Sequence, residues 1–372
     1  MAIPHPSLEP RHALAVPVSV TPDRTLRVKI IDACGLACTF CHNEGTPVTV
    51  DNRTRPGGFT PAGTSGRVSI YIPSNGARFV ATTVRPDAAF ADALARLRDA
   101  FGFEEVHYTG GEPSLHPRLS ELVGVASRLG LTVAMTSNGE NGAAVIADAA
   151  KAGLDRVNFS IFGTTPAELA AVQGTRFADQ ARAQRKLDAL DASIAACAEH
   201  GVRASANLVI PDATHIPRVH RLLDRYGDRV QVRLLNSLSD GQAALDAIAQ
   251  VLAELDAEPT ERHLTAGVSG AKTVYRIAGG RTIIVKELRR VRLPATCADC
   301  RFNNDTDCTE GYYGLRLYRD QSERFQVGVC LQRMDLCEDL DTFLTGGLAN
   351  EVRLWRDNEH EALTRHYGQG SN

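Results

Sequence analysis

Three cysteines fall within eight residues of this chain, Cys34, Cys38 and Cys41 in the run CGLACTFC, directly after an apolar, β-prone stretch. Thiolates are soft ligands for iron–sulfur clusters and for zinc. Three thiolates on a four-iron cube leave one iron without a protein ligand, open to a small molecule. Zinc competes, since His42 follows as a fourth ligand, and so do plain buried thiols. Structural zinc ligands usually come as short-spaced pairs, and the gap between Cys34 and Cys38 is wider. A second group lies far downstream, Cys297, Cys300, Cys308, Cys330 and Cys337, with Cys197 alone in between. Four soft ligands there suit zinc or a second [4Fe–4S] cluster, and Cys-Ala-Asp-Cys by itself does not choose.

Elements must position these ligands. Between about residues 25 and 240, short β-rich runs alternate with helical ones, the pattern of βα units around a parallel sheet. Strands are predicted at Leu26–Ile31, Glu105–Tyr108, Thr132–Thr136, Arg156–Ile161, Arg203–Ile210 and Gln231–Leu235. A helix is predicted over Asp87–Phe101, where Phe90, Leu94, Leu97 and Phe101 form one stripe. Six such strands predict an α/β fold, a partial (β/α)6 barrel over 25–257, after an N-terminal extension over 1–24. Residues 45–86, rich in Gly, Pro and Thr, read as a mobile insertion and a candidate lid, with a hairpin around Ser74-Asn75-Gly76. A helix over Ala243–Leu255 leads to a small C-terminal cysteine domain over 258–372, with a hairpin formed by Val274–Ile277 and Thr282–Val285.

Composition excludes some functions. Charged residues make up 23% and the net charge is -3, so no basic field points to nucleic acid or a membrane surface. The Pro-rich start has no apolar signal core, and no uncharged run approaches the roughly 18 residues of a membrane span. The expected location is the cytoplasm, where nine cysteines suggest metal binding rather than a disulfide framework.

CGLACTFC resembles the CxxxCxΦC loop of the radical S-adenosylmethionine (SAM) superfamily, with Phe40 at the aromatic position. Three further segments, each at the end of a predicted strand, carry the resemblance. Thr109-Gly110-Gly111-Glu112-Pro113 is similar to the motif that receives the amino group of the SAM methionine. Ser137-Asn138-Gly139 looks like the ribose-contacting position. Asn158 to Gly163 and Asn207 fall where related enzymes reach SAM or substrate, with Ser160 and Asn207 as candidates.

The resemblance implies a [4Fe–4S] cluster on Cys34, Cys38 and Cys41 and SAM at its open iron. It also implies an electron donor such as flavodoxin or ferredoxin, and a 5′-deoxyadenosyl radical that takes hydrogen from a substrate. The C-terminal cysteines are similar to the auxiliary-cluster "twitch" extension, which assigns Cys297, Cys300, Cys308 and Cys330 to a second [4Fe–4S] cluster.

In architecture the chain is similar to the GTP 3′,8-cyclases of molybdenum-cofactor synthesis from Leu26 to about Leu331. Arg27 stands where those enzymes grip substrate phosphate. The chain departs from them in having Ser205 at a phosphate-binding lysine position, a different C-terminal tail, and four cysteines that would close the auxiliary cluster. The expected activity is therefore remodelling of a small polar molecule: a nucleoside, sugar or antibiotic intermediate. The alternatives are a peptide-modifying radical SAM enzyme, for which the segment before the first strand is short, and a zinc-stabilised binding module. Cys337, left over from the cluster, is a candidate hydrogen-atom donor if it faces the barrel mouth, and otherwise an alternative to Cys330 as ligand.

Overall fold

Side-chain alternation builds the sheet. In the computed structural model, which describes residues 16–48, 69–71, 74–174, 178–304 and 306–368, the chain runs β1 (Val18–Pro22), β2 (Thr25–Ile31), α1 (Ala88–Phe101), β3 (Glu105–Gly110), α2 (Leu119–Arg128), β4 (Thr132–Ser137), α3 (Gly142–Ala152), β5 (Leu154–Ser160), α4 (Pro166–Ala171), α5 (Gln180–Glu199), β6 (Arg203–Ile210), α6 (Ile216–Tyr226), β7 (Gln231–Asn236) and α7 (Gly241–Glu254). It continues through β8 (Glu258–Ala266), β9 (Gly270–Arg276), β10 (Thr282–Leu288), β11 (Arg316–Arg319), β12 (Phe325–Gly328), β13 (Glu338–Asp339), α8 (Leu340–Thr345) and α9 (Gly347–Tyr367).

Strands β2 to β7 lie side by side in sequence order, every neighbouring pair parallel. They curl into an open half-barrel. On β2, Leu26, Val28 and Ile30 are buried in the main core with the helices, as are Val106 and Tyr108 on β3 and Val232 and Leu234 on β7. The alternate residues Arg27, His107 and Arg233 therefore face the concave side, where they line a cavity. The expected helix begins one residue late, because Asp87 is its cap: the carboxylate accepts the Phe90 N–H at 2.9 Å.

The C-terminal segment continues the same sheet at both edges. Beyond β7 come β10, β9, β8 and finally β1; beyond β2 come β11, β12 and β13. The expected hairpin is the antiparallel pair β9–β10, and β10 then runs parallel to β7. Strand β1 pairs in parallel with β8 and lies inside the segment read as an extension. Much of the expected insertion, including residues 49–68 and 72–73, lies outside the described residues. Of the hairpin expected there, Ala81 instead forms an antiparallel bridge to Asp320. Among the described residues no helix is long and apolar enough to cross a membrane.

Helix α9 docks on the added strands through a buried ion pair. Glu359 is wholly buried, its Oε1 3.0 Å from Arg289 Nη1. Arg289 also donates to the Thr265 and Val268 carbonyls, and the Gly267 N–H donates to the Glu359 carboxylate. Replacing Glu359 by Ala strands a buried guanidinium and should cost about 3–5 kcal/mol. A urea midpoint unchanged from wild type would refute that role for the pair.

Candidate active site

The cysteine loop leaves β2 and has little regular backbone pairing, so side chains must hold it. Lys29, buried on β2, donates through Nζ to Asp32 Oδ1 at 2.9 Å, to the Asn43 carbonyl at 3.1 Å and to Thr46 Oγ1. Asn43 Nδ2 donates to the same Asp32 oxygen at 2.8 Å, with its own backbone left-handed at φ 48°. Both ends of the loop are thus tied to one ammonium.

Its middle is tied from elsewhere. Gln173, after α4, accepts the Ala37 N–H at 2.7 Å through Oε1 and donates through Nε2 to Cys38 Sγ at 3.3 Å. Glu140 Oε1 accepts the Gly35 N–H at 2.6 Å, and its carboxylate pairs with Lys186 of α5. Cys34 Sγ accepts from the Leu36 N–H and from Asn138 Nδ2, both at 3.4 Å. N–H donors aimed at thiol sulfurs stabilise the thiolate form.

Sequence reading identified neither Gln173, Glu140 nor Lys186. They lie about a hundred or more residues from the loop they hold, and no local pattern marks them.

The motif after β3 also packs the entry to the cysteine loop. A Cβ on Gly110 would lie 2.2 Å from the Ile31 carbonyl oxygen, and one on Gly111 would lie 2.3 Å from those of Asp32 and Ala33. These glycines let β3 press against the chain entering the cysteine loop. Glu112 is buried; its Oε1 accepts from Ser114 N–H at 2.9 Å and Ser137 Oγ at 2.7 Å, and its Oε2 from the Asn138 N–H. Burial pushes its carboxyl above the ordinary range against these bonds. The Ser137 hydroxyl, expected at a ribose, donates to Glu112 and accepts the Gly139 N–H. Pro113 opens a short buried turn and does not line the cavity.

A cavity of about 490 Å³ gathers the other candidates. Cys34, Cys38, Cys41, Phe40, Gly110, Gly111, Glu112, Ser137, Asn138, Ser160, Asn207 and Arg27 all line it. Phe40 is 46% exposed at its lip and meets Phe162, ring centroids 5.1 Å apart. The donor set suits an iron–sulfur cube, because each cube ligand binds its own iron and the thiols need only surround the space. A single ion needs convergence, and among the described residues no three His, Cys, Asp or Glu side chains are so gathered. His42 is occupied otherwise, its Nδ1 accepting the Glu44 N–H.

The concave wall adds groups that sequence reading passed over: His107, Arg233, Lys286, Tyr313 and Arg316. Arg27 from one end of the parallel run and Lys286 from beyond the other meet at Tyr313. The Arg27 guanidinium lies 4.6 Å from the Tyr313 ring centroid, and Lys286 Nζ donates to the phenol oxygen at 3.0 Å. Lys286, against the opposing effect of burial and with help from Arg27, holds that phenol down to about 8. Burial pushes His107 below its ordinary value, against the pull of Glu105.

Cys297, Cys300, Cys308 and Cys330 line one apolar recess. Cys337 does not join them. Its Sγ lies 3.9 Å from Met334 Sδ and packs against the cluster of Ala81, Tyr318 and Met334, near Cys330 but outside the lining of both the recess and the main cavity. The short turn Met334–Leu336 and the β12–β13 pairing hold it there, so the expected approach to the barrel mouth is not made. Burial pushes its thiol up to about 12.

Residues 28–232, more than half of the chain, match the model of the radical SAM superfamily. The chain belongs to that superfamily. Membership makes it a radical SAM enzyme and implies SAM, a [4Fe–4S] cluster and an electron donor. A probable GTP 3′,8-cyclase of Aeropyrum pernix is 24% identical over 289 residues, 75% of this chain and 70% of that one. The PqqA peptide cyclase of Streptomyces rochei is 31% identical over 195 residues, half of each chain. The GTP 3′,8-cyclase of Vibrio parahaemolyticus is 30% identical over 38% of this chain and 34% of that one. The crystal structure of Streptococcus suis SuiB bound to the precursor peptide SuiA aligns with a TM-score of 0.48 at 12% identity, over 91% of this chain and 67% of that one.

Two outcomes follow for this radical SAM enzyme. Gly111→Val drives a branched side chain into the Asp32 and Ala33 carbonyls next to Cys34, so the purified variant should lose iron; full iron with only SAM affinity reduced would show that the glycine serves the SAM contact and not the packing of the loop. The second concerns Tyr313, whose folded phenol ionises near pH 8 and whose unfolded phenol ionises near 10. Its contribution to stability is absent below pH 8 and grows as pH rises to 10. Difference absorbance should show one tyrosine ionising near pH 8 that is missing in Tyr313→Phe; no such early step would refute the assignment.

Proposed function

We propose that this enzyme remodels a small polar substrate by hydrogen abstraction, at the cavity that the three loop cysteines share with the polar concave wall. That shared lining carries the reading. Cys34, Cys38 and Cys41 hold one [4Fe–4S] cluster, and Cys297, Cys300, Cys308 and Cys330 hold a second, closed one. When bound, cluster and SAM supply a 5′-deoxyadenosyl radical that takes a substrate hydrogen.

The chain's own residues aim this chemistry. Gly110, Gly111 and Glu112 fix the wall on which the methionine end rests, acting mainly through backbone position, since the Glu112 carboxylate is committed to Ser137 and Asn138. Ser160 and Asn207 face the cavity from adjacent, paired positions, and the Asn207 side-chain oxygen has no partner among the described residues. They are the groups placed to meet sugar or substrate hydroxyls. Phe40 and Phe162 cover the lip and limit water. A second reading, modification of a peptide, draws on the likeness to the PqqA peptide cyclase.

Protein purified without oxygen should carry about eight iron and eight sulfide per chain. Replacing Cys34, Cys38 and Cys41 together by Ala should leave roughly half the iron and abolish 5′-deoxyadenosine formation. Zinc without iron, or wild-type cleavage of SAM by the triple variant, would overturn the proposal. Specific binding of a labelled precursor peptide would favour the second reading.

A further inference from the structure

The concave wall of the cavity holds three cations that no carboxylate among the described residues pairs with directly. Arg27, Arg233 and Lys286 line it, from β2, β7 and β10. Among the described residues no carboxylate is in ion-pair contact with any of the three. The acids nearby are committed elsewhere: Glu105 to Arg156 at 2.8 Å, Glu287 to Arg262 at 2.6 Å and Glu44 to Arg316 at 3.1 Å. Glu310 lines the same cavity without an ion-pair contact to the three. Asp23, whose carboxyl burial pushes up to about 6 against the pull of Arg27, does not line it.

Arg233 is the most telling of the three. Its Nε is buried with no hydrogen-bond partner among the described residues, and its side chain makes one long bond, 3.4 Å to Ser205 Oγ. Burial, and then the like charge of Arg156, weaken its hold on the proton. Next to it in register stands Asn207, whose unpartnered atom is the side-chain oxygen, an acceptor that suits a hydroxyl and not an anion. A guanidinium in that setting is costly unless an anion completes it. Its flat fork of N–H donors suits the paired oxygens of a carboxylate or phosphate.

We propose that Arg27, Arg233 and Lys286, with the Tyr313 hydroxyl, form an oxyanion subsite that grips a carboxylate or phosphate carried by the substrate. This rests on the cavity being the reaction site and narrows the substrate to an anionic molecule. Its cations lie on strands β2, β7 and β10 rather than on the cysteine loop.

Wild-type protein, kept anaerobic, is treated with phenylglyoxal, and arginine adducts are mapped by peptide mass. Inorganic phosphate or succinate, compared with chloride at equal ionic strength, should slow modification of Arg233 and Arg27 by roughly threefold or more. The anion effective at lower concentration distinguishes phosphate from carboxylate. Calorimetry should show the better anion binding about tenfold more weakly to Arg233→Gln, with part of the loss recovered in Arg233→Lys. Equal modification with and without anions would overturn the subsite. So would protection by SAM alone that neither anion reproduces, which would give these cations to the cofactor. In a protein that cleaves SAM, failed protection removes this inference and leaves the proposed function standing. Protection in a protein without iron does the reverse.

Discussion

A buried ammonium holds the cysteine loop in place. Lys29 sits on β2, 1% exposed, with Asp32, Asn43 and Thr46 closed around it, each 4% exposed or less. Desolvating a lysine and an aspartate costs several kcal/mol, so the pair adds little net stability over an apolar replacement. What it adds is geometry. Its donors are satisfied by one group before the cysteines and two after them, so the loop can leave the sheet and return to the same point. With the ends pinned, the sulfurs are set by a few long-range bonds from Gln173, Asn138 and Glu140. Losing any one of these leaves the others to hold the loop, whereas losing Lys29 leaves the Asp32 carboxylate buried without its cation.

The same economy governs the wall opposite. Parallel strands put their C-terminal ends, and so the loops after them, on one rim. On that rim β3 and β4 are locked by one carboxylate, Glu112, which takes donors from Ser114, Ser137 and Asn138. Because Asn138 in turn donates to Cys34 Sγ, the Glu112 bonds reach a thiol through one residue. Motifs that look like separate ligand contacts in the sequence are here one hydrogen-bonded unit. Their side chains fix each other, while Ser160 of β5 and Asn207 of β6 line the cavity beside them.

Much of the half-barrel was legible because period-two alternation is a local signal. Strand β6 matches its predicted bounds, and the other five parallel strands begin or end within two residues of theirs. The cysteine loop and the glycine motif were legible because residue type and spacing carry their chemistry. Strands β11, β12 and β13 were not, since they are two to four residues long and two of them are buried on both faces. Strand β8 carries Glu258, Pro259 and Glu261 and reads as a polar linker. The anchoring residues Gln173, Glu140 and Lys186 gave no signal, because their meaning depends on contacts about a hundred residues or more away. Arg233 and Lys286 lie on strands that were correctly read, yet only the curl of the sheet shows that they face Arg27 across Tyr313.

That seam also explains why the two cysteine groups belong to one structure. Glu44, three residues past Cys41, pairs with Arg316 on β11, and Tyr318 donates to the Glu44 carbonyl. Although burial favours the neutral acid, Arg316, His42 and Arg27 hold the Glu44 carboxyl down to about 2, so the pair stays charged throughout the neutral range. Arg316, Tyr313 and Glu310 line both the main cavity and a smaller one that reaches Cys308 and Cys330. A shift in the C-terminal cysteine segment therefore reaches the first loop through an ion pair and a backbone bond, with no intervening linker to absorb it. Strand β11 pairs directly with β2, the strand that delivers Cys34. The C-terminal segment is thus a brace for the loop as well as a second set of thiols: Glu44 ties the loop to β11, and β11 covers the edge of β2 at Arg27 and Val28.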